Sequence, residues 1–138
     1  MIFVTDRTSF GDSFAINLAR PRSTCMHRRI SSWDDVADIL FGQDEASLSE
    51  IYISGHGANG GIQANGDYLT ADNVTPRVAA LIRRVLRPGG RVILMSCEAG
   101  ADTEMPRLAR ELGVPVVGNT GCVNWGGVGA GSWVQFNP

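Results

Sequence analysis

With 138 residues, the chain has room for one domain and hardly a second, since a domain takes roughly 100–200 residues. A hydrophobic fraction of 43%, a charged fraction of 19% and a net charge of −2 exclude a disordered or fibrous chain, and the slightly acidic balance argues against a nucleic acid partner. No apolar run approaches the roughly 20 residues that span a bilayer, and Met1-Ile2-Phe3-Val4 lacks the basic region that opens a signal peptide, so neither a membrane partner nor a Sec route is expected.

Met1 to Val4 reads as a first buried strand. Residues 7–31 show no period, and their Arg20-Pro21-Arg22 and Arg28-Arg29 clusters suggest an exposed excursion or a small hairpin. Ser32 caps a helix with Asp34 and Asp35 in its first turn and Val36, Ile39 and Leu40 on its apolar stripe. Ile51-Tyr52-Ile53-Ser54 is the second strand, followed by a glycine loop from Gly55 to Gly66. Thr75-Pro76 opens a helix whose apolar face is Val78, Leu81, Ile82 and Val85, and Pro88-Gly89-Gly90 reads as its stop. Val92 to Ser96 is the third strand. A helix from near Thr103 carries Met105, Leu108, Ala109 and Leu112 and ends at Gly113. Val114 to Val117 is the fourth strand, a second glycine loop runs from Gly118 to Gly131, and Ser132 to Phe136 forms a short closing strand. Strands alternating with helices predict an α/β fold: a mostly parallel sheet of about four to five strands flanked by helices, in a single domain over 1–138.

Three cysteines, Cys25, Cys97 and Cys122, with no CxxC pair argue against a disulfide framework and a structural zinc site. His56 follows one strand in Ser54-Gly55-His56-Gly57, and Cys97 follows the next in Met95-Ser96-Cys97-Glu98. If those strands are neighbours, a thiol and an imidazole meet at the carboxyl edge of the sheet, where open α/β folds bind ligands. An imidazole can take the proton of a thiol that is only a few per cent ionised at neutral pH, which is what a cysteine nucleophile needs. The amides of Gly57 and Cys97 then form the expected oxyanion hole. Cys25, beside His27, has no strand or helix edge to position it. Cys122 borders the expected site and reads as structural or incidental.

His56-Gly57 after one hydrophobic strand and Cys97 after the next resemble the clan CD cysteine peptidases: caspases, gingipains and the self-cleaving protease domains of large bacterial toxins. The stretch Leu108-Ala109-Arg110-Glu111-Leu112-Gly113-Val114-Pro115-Val116-Val117-Gly118-Asn119-Thr120 and the ending Gly131-Ser132-Trp133-Val134-Gln135-Phe136-Asn137-Pro138 are similar to caspase-like domains at the C-termini of bacterial polymorphic toxins. The resemblance covers about residues 50–138. It implies a caspase-like fold and a His56/Cys97 dyad that cleaves peptide bonds in a protein or peptide substrate, with no metal or cofactor. On that reading Ser54, Asn119, Thr120 and Trp125 line the substrate groove, Trp125 as a flat apolar wall. Glu98 stands where caspases follow the nucleophile with a basic residue, so specificity for aspartate is not implied. No segment matches the extra flap of the toxin proteases, and activation by inositol phosphate is not implied either.

Two other readings stay open. A non-catalytic caspase-like module would use the same edge to hold a partner. A nucleotide or S-adenosylmethionine domain is suggested by the GxGxxG pattern of Gly55-His56-Gly57-Ala58-Asn59-Gly60 and by Leu86-Arg87-Pro88-Gly89-Gly90-Arg91-Val92; the first needs a helix to begin in the loop. All twelve basic residues are arginine. A GC-rich genome explains this, as does a bacterial effector or toxin that escapes ubiquitination inside a eukaryotic cell; the expected location is therefore secreted or injected, with the producer's cytoplasm as the alternative.

Overall fold

A computed structural model describes residues 2–5, 27–58, 61–64, 68–122 and 131–138. In chain order it contains β1 (Ile2–Thr5), β2 (His27–Ile30), α1 (Trp33–Phe41), β3 (Leu48–Ser54), β4 (His56–Ala58), β5 (Gly61–Gln63), β6 (Tyr68–Thr70), α2 (Pro76–Val85), β7 (Leu86–Met95), α3 (Met105–Leu112), β8 (Val116–Asn119) and β9 (Trp133–Phe136). Six strands form the main sheet in the order β2-β1-β3-β7-β8-β9. All its pairs are parallel except β8 with β9. The chain reverses its direction of travel across the sheet between β1 and β3, the switch-point arrangement of doubly wound folds.

Each helix starts and stops for local reasons. The Ser32 hydroxyl accepts from the Asp35 N–H (3.1 Å) while the Asp35 carboxylate accepts from the Ser32 N–H (3.0 Å), a reciprocal cap that satisfies two orphan donors. The same carboxylate accepts from the hydroxyl and N–H of Ser31. These bonds, the Ser31 hydroxyl foremost, stabilise the ionised form and hold the Asp35 pKa below its ordinary value. Thr75 caps α2 ahead of Pro76, and Gly113 closes α3 at φ 69°, a left-handed conformation that glycine adopts without penalty. Arg84 Nη2 donates to the carbonyls of Leu40, Phe41 and Gln43 at the end of α1, and Arg83 Nη1 to that of Leu112 at the end of α3. Two cations of α2 thus bind the negative ends of both neighbouring helices.

Register decides which strand residues meet the helices. Ile51 lies beside Val92 and Val92 beside Val116, while Ile53 lies beside Leu94. These residues are buried in one core with Val36 and Leu40 of α1, Val78 and Ile82 of α2, and Leu108 and Leu112 of α3. The alternating positions Tyr52, Ile93 and Val117 belong to the opposite face. There Arg91 donates from Nε (3.1 Å) and Nη2 (2.7 Å) to Glu50, which also accepts from the Tyr52 hydroxyl.

The structure corrects three sequence expectations. Residues 27–30 are not part of an excursion but an edge strand parallel to β1; with Ile30 as its one aliphatic residue it carries no apolar period to read, and residues 6–26 lie outside the described residues. Pro88-Gly89-Gly90 does not stop α2. Leu86 does so by turning extended (φ −75°, ψ 136°), and the Pro-Gly-Gly run sits inside β7, where the pairing with β3 shifts register between Leu48 and Glu50. The first glycine-rich stretch is a three-stranded antiparallel meander, β4-β5-β6, over most of its described length. Ile62, Leu69 and Ala71 anchor it in the core, and the Trp33 indole donates to the Thr70 carbonyl at 3.0 Å. On its described residues this stretch runs as strands, His56–Ala58 and Gly61–Gln63, where a dinucleotide fingerprint needs a helix to begin.

Candidate active site

Ser54 of β3 pairs with Met95 of β7 at the carboxyl edge of the sheet, and the Gly55 N–H donates to the Met95 carbonyl at 3.4 Å. His56 and Cys97 each stand two residues beyond that last pair, and both are exposed. The two strand ends touch. A Cβ added to Gly57 would lie 3.3 Å from the Cys97 carbonyl carbon and 3.4 Å from its nitrogen, and closer still to its oxygen, inside the 3.0 Å that real Cβ atoms keep. Glycine follows His56 because the Cys97 backbone occupies the space of any side chain there.

The chain leaves Cys97 through Glu98 at φ 59° and ψ 9°, a left-handed conformation that strains a residue with a side chain. This turn lays a single 3₁₀ turn, Ala99–Ala101, on the end of β8. Gly100 and Gly118 face each other there: a Cβ on Gly100 would lie 2.5 Å from the Gly118 oxygen, and one on Gly118 2.8 Å from the Gly100 nitrogen. The Glu98 N–H donates to the Gly121 carbonyl at 2.9 Å. The loop after β8 is thereby fastened beside the nucleophile candidate.

Of the other site residues expected from sequence, Ser54 is buried at the end of β3, with 6% exposure. Asn119 is fully buried and its side chain is occupied, accepting from the Gly121 N–H (2.9 Å) and donating to the Gly131 carbonyl (3.4 Å). Thr120 accepts at its hydroxyl from the Ser132 N–H (2.9 Å), and its own N–H donates to the Ser132 carbonyl. Asn119 and Thr120 tie the base of the second glycine loop to residues 131 and 132. Trp125 lies outside the described residues, as does Cys25. Among the described residues no group of three His, Cys, Asp or Glu side chains is arranged to hold a metal ion, and no helix is long and apolar enough to cross a membrane.

Two features escaped the sequence reading. Cys122 is exposed, and the Glu98–Gly121 backbone bond sets it beside Cys97; hydrogen bonding and charge repulsion with Cys97, and to a smaller degree burial and Glu98, push the Cys122 pKa above the ordinary value. Only a cysteine in a glycine loop hinted at this. Ser96 is 2% exposed, and among the described residues its hydroxyl has no hydrogen-bond partner. An orphaned buried hydroxyl costs about 1–3 kcal/mol. Ser96→Ala is therefore expected to keep or raise the melting temperature by a few degrees in a thermal scan; a fall of several degrees would show that the hydroxyl is bonded after all.

The fold is a mixed α/β domain on a mostly parallel sheet, with three helices among the described residues, and the strand ends that carry His56 and Cys97 meet at its carboxyl edge. Residues 32–132 match the family described as Domain of unknown function (DUF8616), and the chain belongs to that family. No curated protein and no solved structure matches the chain.

Proposed function

We propose that the protein is a caspase-like cysteine peptidase that cleaves peptide bonds in a target protein or in its own parent chain. The observation that carries this reading is the contact of the His56-Gly57 and Cys97 backbones beyond the paired ends of β3 and β7. Cys97 Sγ attacks the scissile carbonyl carbon, and His56 takes the thiol proton and returns it to the leaving amine. The amides of Gly57 and Cys97 receive the oxyanion. The water that releases the acyl group from Cys97 gives its proton to His56. Asn119, Thr120 and the left-handed turn at Glu98 act as positioning groups that hold the loop after β8 in place.

The chain's lack of lysine supports service as a bacterial effector or toxin domain inside a eukaryotic cell, where lysine marks proteins for removal. The decisive experiment compares new peptide termini generated in a eukaryotic cell lysate by the wild-type protein and by Cys97→Ala. Termini that recur at one sequence pattern and vanish with the variant are expected. Identical terminus profiles, with Cys97 alkylating no faster than the other thiols, would replace this reading by the partner-binding module.

A further inference from the structure

We propose that Cys97 and Cys122 are a redox-reactive pair, in which Cys97 is oxidised by a hydroperoxide and Cys122 resolves it to a disulfide that reversibly caps the site. Backbone geometry and exposure support the pair. The 2.9 Å bond from the Glu98 N–H to the Gly121 carbonyl sets the preceding residue of one strand end against the following residue of the other. The two cysteines flank that hydrogen-bonded pair of peptide groups, so a disulfide, which needs Cα atoms within roughly 7 Å, finds its two backbones already adjacent. Both thiols are exposed, which admits a small oxidant and later a reductant.

The segment is also held from outside the pair. The close approach of Gly100 to Gly118 and the side-chain bonds of Asn119 and Thr120 fix the backbone on which both cysteines stand. A pair held this way has lost little entropy still to be lost on bridging, unlike two cysteines on free loops.

The chemistry balances in two steps. The Cys97 thiol gives up its proton as the sulfur attacks one oxygen of the hydroperoxide and breaks the O–O bond; sulfur loses two electrons to become sulfenic acid, and the second oxygen leaves as alcohol or water with the thiol's proton. The Cys122 sulfur then attacks the Cys97 sulfur, the S–S bond forms, and the sulfenic hydroxyl leaves with the Cys122 proton as water. The interaction with Cys97 raises the Cys122 pKa, which keeps that proton in place before oxidation. Oxidation of Cys97 to a neutral sulfenic acid removes the repulsion and frees Cys122 to ionise and attack. A dithiol reductant reverses the bridge by exchange.

Disulfide formation does not depend on the peptidase reading; its consequence as an off-switch rests on that reading. The test treats the full-length protein with stoichiometric hydrogen peroxide, blocks free thiols with an alkylating agent and maps the tryptic peptides. Because no arginine follows Arg110, Cys97 and Cys122 fall in the separate peptides 92–107 and 111–138, and Cys25 in 23–28. The expected result is a linked pair 92–107/111–138 that is two hydrogens lighter than its parts and is released by dithiothreitol. In Cys122→Ser the bridge should vanish, and with excess hydrogen peroxide, since sulfinic acid takes a second equivalent, Cys97 should accumulate sulfinic acid at least tenfold more than in wild type treated alike. Cys122→Ala, with circular dichroism on both variants, separates loss of the resolving thiol from loss of the fold. Recovery of Cys97 and Cys122 as singly alkylated or sulfinic peptides, or a bridge to Cys25 instead, would overturn the pair. A bridge that forms in a protein making no new termini would instead uphold the pair and reject the peptidase.

Discussion

Cys97→Ala and His56→Ala are each expected to reduce cleavage of a peptide substrate by at least ~10³-fold, and the double variant by little more than either alone. The thiol supplies the bond to the acyl carbon and the imidazole carries the proton, so losing one leaves the other without a task, and residues that act as a unit are far from additive. Both side chains are exposed and make no contribution to the core. The melting temperatures should therefore stay within about a degree or two of wild type, since substitutions on the surface are usually within ±0.5 kcal/mol. The measurement is kcat/KM on a peptide taken from the terminus comparison, with thermal unfolding of each variant alongside. Multiplying losses in the double variant, or near-wild-type turnover in either single variant, would show that the two residues do not form one catalytic unit.

Gly57→Ala is expected to lower kcat/KM by about 10²-fold and stability by about 1–3 kcal/mol, roughly 3–10 °C in melting temperature. The new methyl group would meet the Cys97 carbonyl, a backbone group with no flexible end to give way. The ends of β3 and β7 have to part, and a displacement of about 1 Å between reacting groups costs on the order of 10²-fold. A strain effect of this kind has a specific signature: alkylation of Cys97 should persist while peptide turnover falls, because the thiol remains exposed but its alignment with His56 and the amides is lost. Gly57→Ala with unchanged turnover and melting temperature would mean that the two strand ends are free to separate, and the contact that supports the dyad would lose its force.

How far the site was legible depends on the residue. His56 and Cys97 could be found because each directly follows a run of β-branched and aliphatic residues, and parallel pairing of two such strands sends both to one edge. Asn119 and Thr120 were expected at a groove because they follow the fourth strand. The structure uses their side chains to tie residues 119–121 to residues 131 and 132, and a hydrogen bond between two stretches so far apart in the chain leaves no local trace in sequence. Cys122 was assigned no part for the same reason: its neighbour Cys97 is brought to it by the Glu98 turn and the Gly100–Gly118 approach.

By itself the sequence determined the helices and the buried strands, because caps such as Ser32 with Asp35, the stop at Gly113 and the apolar periods of α1, α2 and α3 act over a few residues and need no distant partner. The parallel arrangement of those strands also followed from their alternation with helices, whereas which strands are neighbours was left open and is decided by the sheet itself. Only the tertiary structure decided that His27–Ile30 is a strand, because an edge strand takes its hydrogen bonds from a neighbour and not from its own side chains. It alone decided that His56–Ala58, Gly61–Gln63 and Tyr68–Thr70 pair as a meander, where glycines read locally as a loop while Ile62 and Leu69 find burial in a core built by the helices. The pairing of Cys97 with Cys122 belongs to the same class: proximity between residues far apart in the chain comes from the packing of whole strands, and no short-range preference encodes it.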